Sequence, residues 1–293
     1  MVEGVWRDIP RDFKSTGGAF VRPDTAFRET VSLADAEPGR YRLYVSRACP
    51  WAHRTLIVRA FTRLEKVVPV FNADPYMAEN GWEFRDGGIR YLHELYAKAK
   101  PDYTGRVSVP ALWDEKTQRI VNNESSEIIR MMGSDLYPQK LRKEIDAVNA
   151  RVYQTVNNGV YRAGFAKSQA AYEEAYDGLF ATLDWLEERL SRQRYLAGSQ
   201  ITEADWRLFP TLVRFDAAYF SLFKCNKKRI ADYPNLENYM RELYQVPGVA
   251  GTVTPRYYVI NYYSIPKVNP TLIIPKGTPV DLGQPHDRAR LAA

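Results

Sequence analysis

The chain has 293 residues, 45% of them hydrophobic, enough to bury a substantial core in one large domain or two medium ones. It has no apolar run of membrane-spanning length and a charged start (MVEGVWRDIPRDF) where an export signal would be apolar, while two cysteines and three histidines are too few for a disulfide framework or an expected metal site. The formal charge of +6 is spread along the chain without a basic tract, which argues against a nucleic-acid or membrane partner and leaves room for a small anionic ligand; a globular cytoplasmic protein is expected.

Residues 1–39 are rich in Arg, Asp, Gly and Pro, and their aromatics (Trp6, Phe13, Phe20, Phe27) follow neither helix nor strand spacing. They read as an ordered extension that wraps the body. From 40 to 138 the elements alternate. YRLYVS (Tyr41–Ser46) has strand periodicity, and Trp51–Leu64 sets Leu56, Ile57, Ala60, Phe61 and Leu64 at helical spacing. VVPVFN follows as a strand and RYLHELYAKA as a helix. VPALWD and RIVNN, joined by the turn-like EKTQ, read as a hairpin, and ESSEIIRMMGS as a helix ending near Gly133. Strand, helix, strand, helix, strand, strand, helix is the order of a thioredoxin-like α/β domain. From 139 to 254 only helices are expected. Leu179, Phe180, Leu183, Leu186 and Leu190 form one face of a bundle helix, and Thr202 with Asp205 forms a capping box at the start of another. The residues from 255 to 293 (RYYVINYYSIPKVNPTLIIPKGTP and onward) read as an extended tail, with too many aromatic and aliphatic side chains to remain in water.

The junction SRACPWAHRTLI (Ser46–Ile57) carries the candidate chemistry. Cys49 falls between the first strand and the first helix, with Pro50 near the first helical position, where a missing amide is tolerated. The free amides and positive dipole end of that helix favour a thiolate, lowering the thiol from its usual value of about 8.5, and Arg47 and Arg54 add to the effect. Ala52 stands where a dithiol oxidoreductase has its second cysteine, so an external thiol must complete any cycle. The plain alternative is a small buried residue at a helix start. Cys225 has no such context and reads as inert. His53 reads as a solvent-facing first-turn residue, and His93 as packed or exposed. Pro110, in SVPAL, is expected to be cis and to present the main chain of Val109 to a bound thiol peptide, with an edge-strand proline as the alternative. In NNESSEI, Glu124 and Ser125 open a helix whose amides and hydroxyl suit a carboxylate, while Glu124 suits an ammonium group. Ordinary capping by Asn123 or Ser125 explains the same letters.

Together CPWAHRTLI, GRVSVPALWD and IVNNESSEIIRMM resemble the glutathionyl-hydroquinone reductases, the xi class of glutathione transferases. The likeness continues through VNNGVYRAGFA, RYLAGSQITEADWRLFPTLVRFD and VNPTLIIPKG. It implies the glutathione transferase fold: a thioredoxin-like N-terminal domain at 40–138, an all-helical C-terminal domain at 139–254, and a homodimer. It also implies glutathione as co-substrate without a metal, Cys49 as nucleophile, and Trp82, Arg106, Val109, Glu124 and Ser125 as the glutathione site. Tyr161 and a tail tyrosine would hydrogen-bond the hydroquinone hydroxyls. Tyr262 matches best, with Tyr258 and Tyr263 as alternatives, because Tyr263, Ser264 and Ile265 follow it where the family has one residue, Ser and His. The segment after Trp82 (EFRDGGIRYL) is also shorter than the family's loop. The implied activity is reduction of glutathionyl-hydroquinones through a Cys49–glutathione mixed disulfide. The competing readings are a glutaredoxin-like thiol transferase or dehydroascorbate reductase, and a non-catalytic carrier of aromatic ligands.

Overall fold

Strand β1 (Tyr41–Val45), helix α1 (Pro50–Phe61) and strand β2 (Val70–Asn72) form a crossover unit, so β1 and β2 run parallel, with Leu43 opposite Val70. The computed structural model describes residues 1–7, 17–76, 79–277 and 281–291, so Phe13 lies outside the described residues. After α2 (Leu92–Ala99) comes the antiparallel hairpin of β3 (Ala111–Asp114) and β4 (Arg119–Asn122). Strand β3 also pairs antiparallel with β1, Leu43 facing Leu112, giving the sheet order β2-β1-β3-β4. Every residue of β3 is buried, as expected for a central strand covered on both faces. Helix α3 (Ser125–Met132) follows β4 and ends at Gly133.

The rest is helical: α4 (Arg142–Val152), a π-helical turn at Tyr153–Asn157, α5 (Gly159–Gly164), α6 (Gln169–Arg192) and α7 (Glu203–Arg214). A second π-helical turn at Phe215–Tyr219 leads into α8 (Phe220–Leu222), then α9 (Pro234–Gln245) and α10 (Pro255–Tyr263). Helix α6 buries Leu179, Phe180, Leu183, Leu186 and Leu190, the face read from the sequence. At the start of α7 the buried Asp205 carboxylate accepts the amides of Leu196 and Thr202 and the Tyr239 hydroxyl; burial still raises its pKa. Helix α1 packs against both α3 and α7 and so joins the sheet to the bundle. Among the described residues, no helix is long and apolar enough to cross a membrane.

The expected extended tail is corrected: residues 255–263 form α10, with Pro255 at its first turn and Tyr258, Val259, Asn261 and Tyr262 buried. The β-branched and aromatic composition masked a helix that tertiary packing stabilises. The described part of the extension does lie on the body. Met1 donates to Gly105 O, Glu29 N to Val121 O and Leu33 N to Met131 O, while Phe27 packs on Tyr96 and Tyr103.

Candidate active site

Cys49 is the N-cap of α1, with extended backbone (φ −77, ψ 122) and Pro50 at the first helical position. Its Sγ lies 3.5 Å from Val109 O, and the Val109–Pro110 peptide is cis. Arg214, at the end of α7, holds the turn. Its fully buried guanidinium donates to the carbonyls of Arg47 (2.8 Å), Ala48 (3.0 Å) and Pro210 (2.8 Å) and to His53 Nδ1 (2.9 Å). Two of those carbonyls belong to the residues just before Cys49, so the sulfur is positioned from the bundle as well as from the sheet.

His53 is therefore not solvent-facing as its sequence position suggested. It is 1% exposed because α7 and the turn at Thr252 cover that side of α1. With Nδ1 accepting from Arg214, Nε2 donates to Thr252 Oγ1 at 2.9 Å, and Thr252 Oγ1 donates in turn to Val249 O. Burial, reinforced by the charges of Arg214 and Arg47, holds this imidazole well below its ordinary value, so it is neutral. Arg47 sends its guanidinium to Gly251 O. Arg54 is buried and donates to Ser125 Oγ (3.3 Å), Asn157 Oδ1 (2.8 Å) and Arg207 O (3.0 Å); burial lowers it to about 9, still a cation at neutral pH. His93 stacks between Trp6 and Tyr91, and Cys225 is sealed in the core, where burial pushes its thiol up to about 12.

One cleft brings together Cys49, Trp82, Arg106, Val109, Glu124 and Ser125, all the thiol-side residues singled out in the sequence. Each arrives by a local device. Trp82 is set by the bridge between Glu83 and Tyr91, and Val109 by the start of β3. Glu124 is the N-cap of α3, where its Oε1 takes the amide (3.0 Å) and hydroxyl (2.9 Å) of Ser126, so capping falls to Glu124 and not to Asn123 or Ser125. Asn123 instead ties the extension down, accepting from Phe27 N and donating to Tyr96 OH.

Tyr161 and Tyr262 are not on that lining. They form a second cluster in which the Tyr161 and Tyr262 hydroxyls are 2.5 Å apart and those of Tyr262 and Tyr219 are 2.8 Å apart. Of the three tail tyrosines weighed, Tyr262 is the one joined to Tyr161. Tyr258 OH donates to Val213 O, and Tyr263 OH pairs with Ser221 Oγ. Burial raises all three clustered phenols, so they stay protonated; the Cys49 charge raises Tyr161 further and Arg22 offsets part of that. Sequence reasoning missed Tyr219, Arg22 and Arg214. Tyr219 is turned toward the cluster by the π-helical turn at Phe215–Tyr219, which no residue pattern announces. Arg22 comes from the extension and lies over the rings of Trp51 (4.7 Å) and Tyr161 (4.9 Å).

Two family profiles match the chain: "Glutathione S-transferase, N-terminal domain" over residues 48–135 and "Glutathione S-transferase, C-terminal domain" over residues 169–242. The glutathionyl-hydroquinone reductase PcpF of Sphingobium chlorophenolicum is 52% identical over 94% of this chain and 95% of its own. The chain belongs to the xi class of glutathione transferases, the glutathionyl-hydroquinone reductases. A solved xi-class transferase from Natrialba magadii superposes with a TM-score of 0.92 at 44% identity, covering 99% of this chain and 97% of that one. The glutathione-bound structure of YqjG from Escherichia coli K-12 gives 0.89 at 44% identity, covering 99% and 98%. The xi-class fold accounts for the architecture here, an α/β thioredoxin-like half carrying the cysteine and a helical half carrying the tyrosines.

Proposed function

We infer that this chain is a glutathione-dependent oxidoreductase that reduces glutathionyl-hydroquinones to hydroquinones, with Cys49 as the nucleophile. The observation that carries this reading is a lone cysteine at a helix N-cap, in a cleft beside a cluster of three protonated tyrosines. Cys49 stands at the partial positive end of α1. The thiolate attacks the sulfur of the substrate's aryl thioether and a Cys49–glutathione disulfide forms. The carbon–sulfur electron pair passes to the ring, which takes a proton and leaves as the hydroquinone. A second glutathione then attacks the mixed disulfide, releasing oxidised glutathione and the Cys49 thiolate.

Val109 pairs its main chain with the glutathione peptide, Ser125 and the start of α3 hold a carboxylate, and Glu124 takes the ammonium group. Trp82 and Arg106 complete the thiol-side wall. Tyr161 and Tyr262 hydrogen-bond the ring hydroxyls. A cytoplasmic homodimer belongs to the same proposal, and sedimentation of the purified protein tests the assembly. A glutaredoxin-like activity needs the thiol wall alone, and a carrier needs no cysteine at a helix N-cap, so the tyrosine cluster beside Cys49 favours the ring substrate. Steady-state turnover of a glutathionyl-hydroquinone with glutathione should follow ping-pong kinetics and far exceed turnover of a glutathione mixed disulfide. Faster turnover of the disulfide would favour the glutaredoxin-like reading, and ring turnover surviving Cys49→Ser would refute the mechanism.

A further inference from the structure

Arg22 is a cation of the cleft lining that the cycle above leaves unused. It is half-buried, comes from the N-terminal extension, and lines the same cleft as Cys49. Its guanidinium carbon lies 5.5, 4.7 and 4.9 Å from the ring centroids of Phe20, Trp51 and Tyr161. Its Nε donates to Asn158 Oδ1 at 2.7 Å. Among the described residues this is its one side-chain hydrogen bond, and it makes no ion pair. Five N–H donors are available on a guanidinium and one is engaged. The aromatic contacts hold the guanidinium in place, and its remaining donors suit an oxyanion.

Its neighbours differ in this respect. Arg54 is satisfied by three acceptors and Arg214 by four, so each is committed to holding the fold. Arg22 lies at the seam between the two walls, on the lining with Cys49 and over the ring of Tyr161. When the sulfur-bearing ring carbon has taken up a hydroxyl proton, as the keto tautomer, cleavage of the carbon–sulfur bond sends its electron pair through the ring to the carbonyl oxygen, which becomes a phenolate and then takes a proton. A fixed cation at that seam stabilises such charge without reorganising when it appears.

We propose that Arg22 is a substrate-recognition and catalytic residue for the aromatic half of the substrate, pairing with the phenolate oxygen of the departing hydroquinone. This deepens the reductase reading and rests on it. The extension is then part of the active site, and the preferred substrates are hydroquinones whose ring oxygens ionise readily.

The test compares two substrates that share the thiol step: a glutathionyl-hydroquinone, and the mixed disulfide of glutathione with 2-mercaptoethanol, which has no ring. In R22M, which keeps the aliphatic stem and removes the charge, kcat/KM for the ring substrate should fall about tenfold to a hundredfold, the range of a hydrogen bond to a charged group. Disulfide turnover should change less than about twofold, which also reports an intact fold and thiol site. R22K should recover a measurable part of the ring activity. Equal losses on both substrates would overturn the proposal by assigning Arg22 to glutathione or to the fold, and an unchanged ring activity in R22M would overturn it outright. A wild-type protein inert toward the ring substrate would instead sink the reductase reading itself.

Discussion

The thiol-side wall of the cleft and the tyrosine cluster beside it, proposed as the ring-side wall, are built on different principles. The thiol wall uses local backbone devices: a helix N-cap at Cys49, a cis peptide at Val109–Pro110 and a second N-cap at Glu124. Each is written in a few consecutive residues. The ring wall is assembled from distant segments, with Arg22 from the extension, Tyr161 from α5, Tyr219 from a π-helical turn and Tyr262 from α10. In the proposed reaction the sulfur step rests on local backbone devices, while ring recognition depends on packing between parts of the chain that meet only after folding.

The largest effect should fall on both walls' activities at once. Cys49→Ser is expected to lower turnover of ring and disulfide substrates by at least about a thousandfold, measured as kcat/KM for each. Arg214→Met comes next. It leaves the carbonyls of Arg47, Ala48 and Pro210 and the His53 ring without their donor, so urea unfolding should report a loss of about 3 kcal/mol. An unchanged midpoint would mean that the Cys49 turn holds itself. Tyr262→Phe should separate the walls, lowering ring turnover about tenfold and leaving disulfide turnover unchanged. Loss on both would show that the tyrosine cluster supports the thiol step.

The smallest effect tests the frame of the thiol wall. The Arg40 guanidinium beside Asp114, at the end of β3, holds that carboxyl down at about 2 from its ordinary 3.8. A depressed carboxyl contributes stability above its unfolded value and loses it as pH falls through its folded one. Asp114→Asn should therefore cost about 1 kcal/mol at neutral pH, discounted for the part-exposed arginine, and the two proteins should converge between pH 4 and pH 2. A constant gap in unfolding free energy across that window would contradict the pairing.

What was legible in the sequence follows the same division. The order of strands and helices, the junction at Cys49, Pro110, Glu124 with Ser125, and the buried face of α6 were all readable, because periodicity, proline and capping chemistry act over a few residues. His53 was misplaced because exposure on a first turn depends on what covers it, here α7 and Thr252. Helix α10 was hidden by its β-branched and aromatic residues, whose helical state comes from packing. Arg214 and Tyr219 had no local signal at all: one acts on carbonyls more than 160 residues away in the chain, and the other is aimed by a π-helical turn. Tyr161 and Tyr262 came from the family resemblance, since a tyrosine's neighbours cannot be read from its own surroundings in the chain.

The central claim is that Cys49 carries the glutathionyl group between the two half-reactions. Intact-mass and peptide mass spectrometry of the protein, mixed with one equivalent of a glutathionyl-hydroquinone and no free glutathione, tests it directly. The account predicts release of hydroquinone and a single added glutathione, located on Cys49 and removed by subsequent glutathione. Hydroquinone released from an unmodified protein, or an adduct located on Cys225, would contradict it.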